Sequence, residues 1–177
     1  MNQRTKWVQK IVPSPLGELR LVASPQGLTG VWFVQRQRHE PDADERASWP
    51  SVAAHPLLDA AALQLIDYFL GQREGFELPL NLQQGTPFQQ SVWRSLLDIP
   101  SGETTSYGSL ATRIGRPLAV RAVGAAVGRN PLGIVVPCHR VVGASGKLTG
   151  YAGGLDRKQA LLQLEREPHT TTPCLFN

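Results

Sequence analysis

The chain is poor in cysteine: only Cys138 and Cys174 occur in 177 residues. Two thiols are too few for a disulfide framework or a four-cysteine zinc site, and no metal or cofactor is expected. A reducing, cytoplasmic setting fits them best. Long apolar runs are lacking too. No stretch approaches the roughly 20 residues that cross a bilayer, so no membrane association is expected. Met1 to Lys10 is polar and carries no apolar segment of a secretory leader. Repeats and low-complexity segments are missing as well. What is present suffices for a core: 41% hydrophobic against 18% charged residues, a globular rather than disordered balance.

Acidic residues are missing from one region. The net charge is +4, but residues 1–84 hold eight bases and nine acids, and residues 85–177 hold ten and five. Between Thr104 and Leu155 there are six bases (Arg113, Arg116, Arg121, Arg129, Arg140, Lys147) and no acid. Even scatter of the 14 acids would place about four there. A phosphate backbone repels carboxylates and recruits bases, so such a surface suits nucleic acid. On charge alone, a chance gap in a mildly basic enzyme is an equal reading.

The first third reads as strands. Trp7 to Pro13 alternates loosely, Glu18 to Val22 alternates well, and Leu28 to Val34 is apolar and β-branched, with turns at Pro15–Gly17 and Pro25–Gly27. This predicts a three-stranded antiparallel meander. Residues 35–54 are polar and predict a loop. Leu58, Ala62, Leu65, Ile66 and Phe69 recur at helical spacing over 55–70, and Gly71 to Gln84 reads as a linker.

The second half changes to helices. Thr86-Pro87 with Gln89 is a capping signature for a helix carrying Phe88, Val92, Trp93, Leu96 and Leu97. Ser106 caps a short helix that Gly115 ends. Pro117 starts another, running to about Val127, in which Val120, Val123 and Val127 share one side and Arg121 points elsewhere. Two short helices about a tight glycine turn inside the acid-free window describe a helix-turn-helix, or equally an α-hairpin in a core. Small residues (Ala119, Ala122, Gly124, Ala125, Ala126) keep the second helix slim. Gly133 to Pro137 predicts a short buried strand leading into Cys138, then a glycine-rich loop to Gly154. Asp156, with Gln159 at N3, predicts the cap of a last helix bearing Leu161, Leu162 and Leu164. The fold class expected is α/β (α+β): a small antiparallel sheet with a helix, then a helical unit with a short active-site strand.

Cys138 lies in an apolar run, where cysteine is usually an inert filler. Pro137 removes a ladder donor at that point, and His139 and Arg140 follow directly; burying them unpaired would be costly. A thiol near histidine and arginine has its thiolate favoured. On an extended strand adjacent side chains point oppositely, so Cys138 and His139 need a bridging water or a bend.

The motif Pro137-Cys138-His139-Arg140-Val141, with Asn130-Pro131, Tyr107 and Arg121 upstream, Tyr151-Ala152-Gly153-Gly154 downstream and Glu165 in the last helix, resembles the O6-alkylguanine-DNA alkyltransferase family. The resemblance covers roughly Gly85 to Glu165 with specific motifs, and the N-terminal part loosely. It implies a ribonuclease-H-like sheet-and-helix domain over 1–84, a DNA-binding and alkyl-transfer domain over 85–168 and a tail over 169–177. It implies stoichiometric transfer of an alkyl group from O6-alkylguanine to Cys138 without turnover, O4-alkylthymine being a further candidate substrate. It also implies a monomeric protein on the minor groove of double-stranded DNA, with the base flipped out. The roles implied are Cys138 as nucleophile, His139 acting on it through water, Glu165 orienting His139 and Tyr107 donating a proton to the purine. Arg121 would fill the vacated stack, with Ser106, Ala122, Ala125, Gly128 and Arg129 also on DNA. Tyr107, Asn130, Val136, Pro137, Leu148, Tyr151, Ala152 and Gly153 would form the base pocket, with Asn130 and Arg140 structural.

The sequence departs from the family pattern in places. Ala152 stands where some members have serine. No cysteine precedes Cys138, so the zinc site of some members has no counterpart. Cys174 matches nothing in the family and reads as a surface thiol. Two rivals are weighed. A papain-type hydrolase needs a distant histidine, and only His169 follows, in the tail. A DNA-binding module without chemistry would not need Cys138.

Overall fold

The computed structural model describes residues 6–167. The expected tail 169–177, with Cys174 and His169, lies outside the described residues. Strands β1 (Val8–Val12), β2 (Leu19–Ser24) and β3 (Gly27–Phe33) form an antiparallel sheet in the order β1-β2-β3. Register runs from Val8 opposite Ala23 to Val12 opposite Leu19, and from Leu19 opposite Phe33 to Ser24 opposite Gly27, with a bulge at Val22/Ala23. The expected meander is therefore present.

Alternation divides the sheet's two faces. Leu19, Leu21, Ala23, Val31 and Phe33 join the main core beneath α2 (Pro56–Phe69). Val22 and Trp32 turn the other way and pack with Trp7 and Trp49. Trp49 comes from the segment expected to be only a loop. That segment contains a short helix, α1 (Ala43–Ala47), capped by Asp42. Its tryptophan seals the sheet's outer face, and the Gln9 amide donates to Trp49 O at 2.8 Å and to Arg46 O at 2.9 Å. In α2 the buried stripe is Leu58, Ala61, Leu65 and Tyr68, rather than one including Ile66, which is half exposed. Ala62 and Phe69 pack at the margin.

Helix α3 (Pro87–Leu96) begins with the expected capping box between Thr86 and Gln89. Its Trp93 indole donates to Ala126 O at 2.8 Å. Helices α4 (Tyr107–Arg113) and α5 (Val120–Gly128) form the helix-turn-helix. Ser106 caps α4 through Ser109 N, as its sequence signature indicated. The second helix starts later than expected. Ala119 N donates to Arg116 O, and this places Pro117 inside a β-turn. Val120 is consequently exposed, while Val123, Ala126 and Val127 are buried.

The expected strand over 133–137 does not form. Val135 N bonds Gly133 O, Val136 N bonds Leu132 O and Cys138 N bonds Val136 O, each at 2.8 Å, so the chain turns repeatedly. Pro131 and Pro137 offer no donors, and only Leu132 bridges to Val31 on β3. Asn130 cross-braces the turn: its amide donates to Val136 O at 2.8 Å and its carbonyl accepts from Leu132 N at 3.0 Å. Ile134 is held at φ 70°, strained for a β-branched residue. Cys138–Arg140 is a single 3₁₀ turn. Beyond it, β5 (Val141–Val142) pairs in parallel with β4 (Thr105–Ser106), so the C-terminal half is not all-helical.

Helix α6 (Leu155–Arg166) begins one residue after Gly154, which sits at φ 99°. Asp156 is thus in the first turn and not the cap; it pairs with Arg36 at 2.7 Å. Side chains from both halves of the chain share one core, from Leu21 and Leu58 to Val92, Val123 and Leu161.

Candidate active site

The 3₁₀ turn presents Cys138, His139 and Arg140 to different surroundings. Cys138 is 6% exposed and lines a cleft of about 130 Å³ with Tyr107, Gly124, Val127, Gly128, Gly150, Tyr151, Ala152, Arg38 and His39. A smaller hollow behind it adds Asn130 and Gly153 to the lining. Of the expected pocket residues, Val136 and Pro137 are buried beneath the turn. Leu148 is elsewhere: it lines a separate hollow with Thr104, Val142 and Gln159.

Behind Cys138, His139 is fully buried and its Nε2 lies 2.7 Å from Glu165 Oε1. Arg140 reaches the same carboxylate with two bonds of 2.9 Å, from Nε to Oε2 and from Nη2 to Oε1, and donates from Nη1 to Ile99 O. Tyr68 of α2 donates its hydroxyl to Oε1 at 2.7 Å, and Gly102 N approaches Oε2 at 3.4 Å. Burial pushes the Glu165 carboxyl upward, but hydrogen bonds from His139, Arg140 and Tyr68 override it and hold the group well below its usual range. Burial lowers the His139 pKa, against the pull of Glu165. The imidazole is therefore neutral at rest. With Nε2–H given to Glu165, Nδ1 is the acceptor nitrogen, and it has no protein partner among the described residues.

Burial raises the Cys138 thiol; a hydrogen bond from Asn130 and the charge of Lys158 oppose this. The sequence expectation of a favoured thiolate is corrected here. Arg140 is committed to Glu165 and His139 is neutral, so neither supplies charge to the sulfur. The cation acting on it is Lys158, buried in α6, whose ammonium donates to Val141 O (2.5 Å), Thr149 O (3.0 Å) and Gly150 O (3.1 Å). Burial lowers its pKa to about 8. Those bonds pin the glycine-rich loop against the helix. Tyr107 at the start of α4 is held by its hydroxyl to Thr149 O at 3.1 Å, and burial raises its pKa, which keeps the phenol protonated.

On α5, Arg121, Ala122 and Ala125 are exposed and Gly128 half-buried; Arg129 follows, exposed, and Ser106 is half-buried at the cap of α4. Five of the six bases in the acid-free window face solvent, and Arg140 does not.

Sequence reasoning missed Tyr68, Arg157 and Lys158. A signal existed for Lys158: with Leu161, Leu162 and Glu165 it falls on one helical stripe, so a polar pair shares the buried face. Arg157, also buried, donates to Leu16 O, Gln35 O and Gly153 O, and stacks 4.0 Å over Phe33.

A buried cysteine beside a histidine–carboxylate pair, open to a cleft next to a helix-turn-helix, is the layout of a DNA-binding protein with a candidate nucleophile. Residues 87–167 match the family "6-O-methylguanine DNA methyltransferase, DNA binding domain", and residues 8–82 match "6-O-methylguanine DNA methyltransferase, ribonuclease-like domain". The methylated-DNA--protein-cysteine methyltransferase of Mycolicibacterium paratuberculosis is 50% identical over 169 residues, 95% of this chain and 98% of its own. The crystal structure of Mycobacterium tuberculosis O6-methylguanine methyltransferase superposes with a TM-score of 0.81 at 46% identity, covering 90% of this chain and 93% of that one. Mycobacterium tuberculosis OGT in complex with DNA gives 0.78 at 46% identity, over 89% and 92%. The chain belongs to the methylated-DNA--protein-cysteine methyltransferase family, a family of DNA-repair enzymes.

The buried cluster makes a stability prediction. A carboxyl with a lowered folded pKa contributes stability that is full above its ordinary 4.5 and lost as pH falls through the folded value. Glu165→Gln strands Arg140 without its counter-charge, so it should cost about 3 kcal/mol near neutral pH. The gap from wild type should narrow as pH falls below 4.5. Urea unfolding at a series of pH values measures this, and a gap independent of pH would contradict the assignment.

Proposed function

We propose that the protein repairs DNA by moving the alkyl group of O6-alkylguanine onto Cys138, once per molecule. The observation that carries this reading is the placement of Cys138 at the base of a cleft, between Tyr107 and Tyr151, with His139 and Glu165 behind it. The target carbon lies inside the duplex stack, so the nucleotide must rotate out to reach a recessed sulfur. Helix α5 presents a slim, acid-free face that suits the minor groove.

The electron flow follows from the site. The raised thiol gives its proton, through a water, to Nδ1 of neutral His139, and Glu165 stabilises the imidazolium that forms. The sulfur attacks the alkyl carbon in line. The C–S bond forms, the C–O6 bond breaks and the electron pair enters the purine. Tyr107, kept as the phenol, releases Thr149 O and donates its proton to the purine, and the imidazolium's proton restores the balance through solvent. The thioether has no built route back to a thiol, hence one transfer per chain. O4-alkylthymine presents the same alkyl–oxygen bond and is a second substrate for the same cleft. The protein acts as a cytoplasmic monomer in this reading.

Cys138→Ser should abolish transfer and keep DNA binding, because the groove contacts lie on α5. Cys174→Ser should transfer normally. Peptide mapping after incubation with O6-methylguanine DNA checks both: one methyl group on Cys138 is expected. Methyl on Cys174, or unchanged mass with retained binding, would contradict the proposal.

Arg121 separates two roles. If it occupies the emptied stack, Arg121→Ala should slow repair of duplex lesions strongly while leaving a single-stranded lesion or free O6-alkylguanine base nearly unaffected. A phosphate contact would instead weaken all DNA binding alike and lower the salt slope by about one. Equal fractional losses on all three substrates would rule out the stack-filling role.

A further inference from the structure

The DNA-binding features described so far belong to the C-terminal half, yet one wall of the Cys138 cleft comes from the N-terminal half. Arg38 and His39, on the connection leaving β3, line that cleft. The connection is built to stay there. Arg38 N donates to Ala152 O at 2.9 Å, tying it to the loop on the opposite wall. Arg36 and His39 both sit in the left-handed region, at φ 60° and 58°, a conformation that costs energy for residues other than glycine. Neighbouring charges are already matched: Arg36 pairs with Asp156, and Glu40 pairs with Arg46. Arg38 is exposed, and its guanidinium has no ion-pair or hydrogen-bond partner among the described residues. A strained, doubly anchored segment therefore holds an unspent cation at the mouth of the nucleophile's cleft.

We infer that Arg38 is a positioning residue that grips a phosphate flanking the extruded nucleotide as its base enters the cleft. This rests on the base-extrusion reading above. A planar guanidinium fork matches a phosphodiester, and the residue's exposure leaves it free to meet the backbone outside the pocket. A second half of the chain would then share the work of holding the nucleotide out, opposite α5. Arg38 touches neither the sulfur nor the leaving purine in this arrangement, so its effect should follow the phosphate and not the chemistry.

The test compares wild type, Arg38→Gln and Arg38→Lys on two substrates: a duplex carrying O6-methylguanine, and O6-methylguanine as the free base, which has no phosphate. Arg38→Gln should lose several-fold in transfer rate on the duplex at low salt and nothing on the free base. Its salt slope for duplex binding should be shallower by about one, and Arg38→Lys should restore that slope. An equal fractional loss on the free base would show that Arg38 only shapes the pocket and would overturn the inference, as would unchanged duplex transfer. If wild type places no methyl group on Cys138 from either substrate, the repair reading itself fails. The Arg38 inference then falls with it, an outcome distinct from wild-type transfer that Arg38→Gln leaves unchanged.

Discussion

One buried carboxylate organises the site. Glu165, whose side chain is 1% exposed, accepts from Tyr68 of α2, His139 and Arg140 of the 3₁₀ turn, and the Gly102 amide before β4. A lone buried carboxylate would be prohibitive; here its oxygens are surrounded by donors and one full counter-charge. The consequence is geometric. Three separate chain segments converge on the two carboxylate oxygens of a fourth, and the imidazole between them and the cleft has one orientation and one tautomer. The arrangement also removes Arg140 from the pool of DNA-facing bases, so the acid-free window offers five exposed cations to a polyanion.

The second constraint is the irregular segment from Asn130 to Pro137. A regular strand here would turn Cys138 and His139 to opposite faces. The chain instead coils on itself through Asn130, with the strain at Ile134 held in place by burial of its own side chain and of Val135 and Val136. The coil ends in a 3₁₀ turn that leaves the thiol facing the cleft and the imidazole facing Glu165. The thiol is consequently recessed and its ordinary form is protonated. Such a sulfur is protected from casual oxidation and needs proton removal at the moment of attack. In the proposed reaction that task falls to neutral His139, whose Nδ1 has no protein partner among the described residues.

Much of this was legible in the sequence because local rules and tertiary structure agreed. The three strands, the Thr86 capping box, the Ser106 cap and the glycine turn between α4 and α5 are set by side chains within a few residues of one another. The errors arose where distant partners decide. Gly133–Val136 has strand composition, but Asn130 takes the Val136 carbonyl and the segment's own turns take the Val135 and Val136 N–H groups, which no propensity encodes. Tyr68 and Glu165 are 97 residues apart, so their bond left no local trace. Arg140 counted among the six bases of the acid-free window, and only the fold shows which carboxylate it serves, Glu165 on a helix 25 residues further on. Residues 35–54 read as plain loop because their tasks, sealing the sheet with Trp49 and walling the cleft with Arg38, exist only in three dimensions.

The account's central claim is that a protonated, recessed Cys138 is activated by proton transfer to neutral His139. The direct measurement is the single-turnover transfer rate of wild type and His139→Ala as a function of pH. The claim predicts a large loss near neutral pH that shrinks as the buffer becomes alkaline, because the thiol then ionises without help. The same fractional loss at every pH would contradict it and leave His139 as a structural support for Glu165 alone.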